Sequence, residues 1–285
     1  MTNAARPDEP RPIELSVSES GSGSPLVILH GLFGSKRNWV TVAHRLAAAH
    51  RVIAVDLRNH GESPWDGRHD YPALAADVAA VIEGRVGGPV AVLGHSMGGK
   101  AAMVLALARP ELVERLVVVD IAPVRSTATP IEYVRAMRRL PLAAYGQRLD
   151  VKEALAPAIP DPLVRGFLTL NLVSGPTGLA WAVNLEAIEQ NFDTILGFPE
   201  LPAARPFPKP TLFLAGGRSD YVRPEHHAEI HRLFPAATIE VIERAGHWVH
   251  ADAADAFVAA VGRFLAVTQV SSERPAADAA NRNRR

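Results

Sequence analysis

The chain has 285 residues, 48% of them apolar and 21% charged, enough to bury a large core in one domain or in a domain carrying an insertion. Its 30 basic and 30 acidic residues cancel, and no basic block stands out, which argues against nucleic acid and anionic membrane surfaces as partners. There is no cysteine, so disulfides, cysteine nucleophiles and thiolate metal sites are excluded.

Residues 1–12 are polar and proline-rich, without the apolar core of a secretion signal, and read as a disordered tail. No run approaches the roughly 18 apolar residues of a spanning helix, so no membrane span is expected and the simplest address is the cytoplasm. Short β-branched runs then recur at residues 26–29, 52–55, 90–93, 116–119, 211–214 and 238–242. Runs without alternation suit strands buried on both faces of a parallel sheet. Helical patterns at residues 38–49, 72–83, 100–108, 224–233 and 254–265 fill the intervals, and this alternation predicts a doubly wound α/β fold.

Residues 121–210 break the rhythm, with helical stretches at 131–140 and 179–190 but no clear buried strand. A structureless loop of that length does not belong in a compact domain. The expected organisation is a core formed by residues 13–122 and 207–267, interrupted by a helical cap over residues 123–206. Residues 268–285 lack periodicity and read as a second disordered tail.

Chemistry concentrates where the third apolar run meets a helix, at Gly94-His95-Ser96-Met97-Gly98. A serine on a sharp strand-to-helix turn exposes its hydroxyl at the sheet edge beside the helix's free N–H groups, and the flanking glycines remove clashing side chains. A serine hydroxyl needs an adjacent base, usually histidine, oriented by a third group. His247, on the loop after the last strand run, is the candidate base. Two backbone N–H groups must face the developing oxyanion: one from Met97, after the nucleophile, and one from the loop after residues 26–29. Leu32 is the expected second donor, with Phe33 as the fallback. His30 and His95 read as loop-ordering residues. Asp56, Arg58 and Ser63 read as residues that stitch the turn after their strand. His227 and His231, four apart in a predicted helix, lack the companion ligands of a zinc site and read as a helix face.

Together, His30-Gly31, Asp56-Leu57-Arg58-Asn59-His60-Gly61-Glu62-Ser63, Gly94 to Lys100, Asp120-Ile121-Ala122-Pro123 and Gly246-His247-Trp248-Val249-His250-Ala251 resemble one family. It is the small α/β-hydrolase esterases and thioesterases, comprising bacterial acyl-CoA esterase-like enzymes and their mitochondrial relatives. The resemblance, running from about Leu26 to Leu265, implies an α/β-hydrolase fold: a mostly parallel sheet flanked by helices, with an inserted helical cap. It implies a Ser-His-Asp hydrolase of carboxylic esters or acyl thioesters, working through an acyl-enzyme and needing no cofactor; no metal site is expected. Two aspartates follow strand runs, Asp120 and Asp220. Superfamily habit favours Asp220, whereas the precedent of the resembled family maps onto Asp120, which is taken as the acid with Asp220 as the alternative. Lys100 matches the family's run after the serine and is assigned no chemistry. In the cap, Ala182 stands where the family usually has arginine. Other readings of the same residues are a carbon–carbon bond hydrolase, a cofactor-free perhydrolase and a noncatalytic small-molecule binder. Nothing in the sequence specifies an oligomeric state.

Overall fold

The computed structural model describes residues 10–126, 131–175, 178–201 and 204–266. Both expected terminal tails lie almost wholly outside these residues. Among the described residues nine strands form, β1 (Val17–Ser20), β2 (Ser24–Leu29), β3 (His50–Val55), β4 (Val90–His95), β5 (Val113–Val119), β6 (Leu172–Gly175), β7 (Gly178–Trp181), β8 (Thr211–Gly216) and β9 (Ala237–Ile242). Seven of them make one sheet in the order β1-β3-β2-β4-β5-β8-β9, parallel except for β1, which runs antiparallel to β3 at the edge.

Successive side chains of the central strands feed opposite cores. On β2, Leu26 and Ile28 face one layer while Val27 and Leu29 face the other, all fully buried. The helices α1 (Val40–Leu46), α2 (Tyr71–Arg85) and α3 (Met97–Ala108) follow the first strands. The first layer takes Trp39 and α1, whereas α2 and α3 pack on the second. This two-sided burial explains why the strands read as continuous apolar runs. The strand β1 escapes that reading because its Val-Ser-Glu-Ser sequence is short, polar and half exposed.

Between β5 and β8 the chain leaves the sheet and builds α4 (Ile131–Arg139), α5 (Arg148–Ala154), α6 (Pro162–Leu168), α7 (Leu185–Gln190) and α8 (Phe192–Leu196). This segment is not wholly helical. Residues 172–175 and 178–181 pair as antiparallel strands, so the helix expected over 179–190 begins only at Leu185. Leu179 and Trp181 alternate with exposed neighbours, a period of two. Asn184 then starts the helix by accepting the Ala187 N–H through its side chain. The chain returns through β8 to α9 (His227–Leu233), and after β9 ends with α10 (Val249–Asp252) and α11 (Ala254–Ala266), the last packing with α1. Among the described residues no helix is long and apolar enough to cross a membrane.

Candidate active site

Three strand ends meet at the C-terminal edge of the sheet. Ser96, between β4 and α3, has φ 51° and ψ −118°, a backbone conformation that costs energy for any residue with a Cβ. The turn exists because the chain packs against itself. A Cβ on Gly94 would lie 2.2 Å from the Gly98 carbonyl oxygen, and one on Gly98 would lie 2.4 Å from that of His30. Ser96 N–H donates to the Val119 carbonyl at 3.0 Å, fixing the turn to the neighbouring strand end.

Asp120 sits at that strand end, fully buried and also left-handed, at φ 50°. Its Oδ1 accepts the Gly216 N–H at 2.9 Å, and its Oδ2 accepts the Ser219 hydroxyl at 2.5 Å. The same Oδ2 lies 2.8 Å from His247 Nδ1, and His247 Nε2 lies 3.1 Å from Ser96 Oγ. Nδ1 therefore carries the proton shared with the carboxylate, and Nε2 is left to accept from the serine. The structure thus brings Ser96, His247 and Asp120 into one chain of contacts. Asp220 is not part of it: the residue is exposed and its carboxylate makes no hydrogen bond or ion pair among the described residues.

The loop carrying His247 is tied down from several directions. His95 Nε2 donates to the His247 carbonyl at 2.8 Å, and burial holds the His95 ring neutral, far below the usual histidine range. Gly246 N–H donates to Asp252 at 2.7 Å. Tyr221 stacks on the imidazole with ring centroids 4.0 Å apart. Sequence reasoning missed Ser219 and Tyr221, whose roles depend on a loop brought in from beyond the inserted segment.

Leu32 and Met97, the two expected oxyanion donors, line one small recess together with Ser96. Neither Leu32 N–H nor Met97 N–H donates to a protein acceptor among the described residues. Phe33 N–H does, to His60 Nε2 at 3.2 Å, and so the fallback donor is already occupied. His30 orders the same region as expected, its Nε2 accepting the Leu57 N–H at 2.9 Å. The Asp56 motif stitches its turn, accepting from the Lys36 ammonium at 2.7 Å and the Glu62 N–H at 2.9 Å. Arg58 instead forms a buried bidentate pair with Asp77 on α2, at 2.6 and 2.8 Å.

Lys100 is a finding that motif reading left blank. It is buried one turn into α3, and its ammonium donates to the carbonyls of Leu196 at 2.7 Å and Gly197 at 2.6 Å, at the end of α8. Burial pulls its pKa down to about 7, with the charge of Arg125 adding to the shift.

Over Ser96 lies a cavity of about 670 Å³, bounded by Phe33, the α6 residues Leu163, Val164, Phe167 and Leu168, and Trp248. That size accommodates a ligand of several hundred daltons. Among the described residues, no group of three or more His, Asp or Glu could hold a metal ion.

The family profile described as "Alpha/beta hydrolase family" matches residues 26–260. The chain belongs to the alpha/beta hydrolase family. As an alpha/beta hydrolase it is 40% identical over 267 residues to the sn-1-specific diacylglycerol lipase ABHD11 of Mus musculus, covering 90% of this chain and 86% of the relative. It is 34% identical over 245 residues to Esterase YbfF of Escherichia coli (strain K12), covering 86% and 94%. Among solved structures, a marine microorganism esterase superposes with a TM-score of 0.84 at 34% identity, covering 88% of this alpha/beta hydrolase and 99% of that chain.

Proposed function

We propose that the chain is a serine hydrolase cleaving carboxylic esters, with Ser96 as nucleophile, His247 as general base and acid, Asp120 as the residue orienting the imidazole, and Leu32 and Met97 as oxyanion donors. The observation that carries this reading is the unbroken series of contacts from Asp120 Oδ2 through His247 to Ser96 Oγ, at 2.8 and 3.1 Å. The esterase and lipase names of relatives that align along most of the chain support the ester as the bond attacked.

Ser96 Oγ attacks the carbonyl carbon while its proton passes to His247 Nε2. The carbonyl oxygen takes up the electron pair and is met by the two free N–H groups. Collapse expels the leaving oxygen, which takes the proton from Nε2. Water then repeats the sequence on the acyl-enzyme, releasing the acid and restoring Ser96. An acyl thioester is attacked by the same steps with sulfur leaving. Residues 123–206 serve as the cap, and the apolar residues of α6 receive the hydrophobic part of the substrate. Metal and cofactor have no part in these steps.

The test is labelling by a fluorophosphonate probe, together with turnover of short p-nitrophenyl esters. Wild type is expected to label and turn over, and Ser96→Ala to do neither. Folded wild type that neither labels nor turns over overturns the reading in favour of a noncatalytic binder.

A further inference from the structure

The loop after β2 closes as a tight turn, with Gly34 N–H donating to the Gly31 carbonyl at 2.9 Å. Leu32 and Phe33 are its two central residues, and Phe33 has φ 60°. A turn with positive φ at its third residue normally carries glycine there, and a bulky side chain in that region is strained. Such a turn needs outside contacts to hold it, and two are present. His60 Nε2 accepts the Phe33 N–H at 3.2 Å from the core side. From the inserted segment, Asn171 Nδ2 donates to the Phe33 carbonyl at 2.8 Å.

Both clamps are themselves fixed. The Nδ1–H of His60 donates to the Arg58 carbonyl at 3.0 Å, leaving Nε2 as acceptor, and burial keeps the ring neutral. Asn171 is buried, its side-chain amide also donates to the Leu168 carbonyl at 3.1 Å, and its main-chain carbonyl accepts the Ala182 N–H at 2.7 Å. Leu168 lines the cavity over Ser96. One side-chain amide therefore joins the substrate-facing helix of the inserted segment to the turn that presents the Leu32 N–H.

We infer that Asn171 is a positioning residue: through the Phe33 carbonyl it holds the oxyanion turn in register with the cap, so that the Leu32 N–H faces the reacting carbonyl only when the inserted segment is seated. This rests on the serine-hydrolase reading above. An anchor of this kind acts on the transition state, where the oxyanion exists, and leaves ground-state binding nearly unchanged.

The experiment compares wild type with Asn171→Ala and Asn171→Asp, the latter keeping the side chain's size but offering no N–H. Competent serines are counted by fluorophosphonate uptake, so that kcat refers to folded sites only. Turnover of p-nitrophenyl butyrate and inhibition by a phenethyl trifluoromethyl ketone, whose adduct with Ser96 places an oxyanion in the hole, are then measured. Both variants are expected to lose about tenfold in kcat, short of the ~10²–10³ typical of a deleted oxyanion donor, with KM within about twofold. The ketone's Ki should rise by the factor that kcat loses. If both variants fail to fold, His60→Leu, which removes the acceptor on the other side of the turn, is expected to give the same pattern. Labelled variants whose kcat and ketone Ki stay within twofold of wild type overturn the clamp. Wild type that takes up no fluorophosphonate overturns the hydrolase reading instead.

Discussion

Tyr221 lies almost flat against His247, the ring planes 20° apart with centroids at 4.0 Å. The imidazole is held at both nitrogens by in-plane contacts to Asp120 and Ser96, and neither contact resists tilting of the ring out of that plane. The phenol face supplies that restraint.

Tyr221→Leu should therefore lower kcat by about 2- to 13-fold, the equivalent of an aromatic contact of about 0.5–1.5 kcal/mol. The rate of fluorophosphonate labelling should fall in step, because both report Ser96 activation. Steady-state turnover and labelling time courses provide the check, and unchanged rates would show that Asp120 alone orients the ring.

The two aspartates separate cleanly. Asp120→Asn keeps the shape of the buried side chain but loses the charge facing His247, and turnover should drop by up to ~10⁴. Asp220→Asn alters an exposed carboxylate and should stay within about twofold of wild type. Parallel kinetics on the two variants decide the matter, and a large loss from Asp220→Asn would move the acid to the later loop.

Acid should weaken the fold through His250. This ring is buried, stacks on Trp39 at 4.3 Å and has no hydrogen-bond partner for its Nδ1 among the described residues, and burial lowers its pKa to about 4. An unfolded chain takes up a proton there near pH 6.5, whereas the native ring refuses it until about pH 4. Between those values the unfolded state binds more protons, so stability declines as pH falls, by about 3 kcal/mol for a displacement of this size. His250→Phe keeps the stack and removes the titration. Urea unfolding at pH 7 and pH 4.5 should show a smaller difference for the variant than for wild type, and equal differences would place the acid sensitivity elsewhere.

What the amino-acid order makes legible follows from how local each signal is. The strands at Leu26, Val52, Val90, Leu116 and Thr211 are readable because burial on both faces demands unbroken apolar runs. Ser96 is readable because its turn needs Gly94 and Gly98 within two positions. The strand pair of the inserted segment is not, since four-residue strands yield too little period to separate from the helix that follows. Asp120 and Asp220 both follow strands, and only the left-handed backbone at Asp120 and its contact with His247 tell them apart. The Asn171 contact with Phe33 spans 138 positions and has no sequence signature. A buried lysine at Lys100 is equally silent, because its partners are main-chain carbonyls that any residue supplies.

The ammonium of Lys100 joins the helix that follows Ser96 to the end of α8 in the inserted segment, with peptide oxygens at 196 and 197 as its only described hydrogen-bond acceptors. Transplanting another enzyme's roof onto this base thus meets a requirement unrelated to substrate. The graft must present two unclaimed oxygens at that point, or it leaves a buried amine without acceptors behind Ser96. Chimeras that respect this join keep the two halves of the chain tied at Lys100.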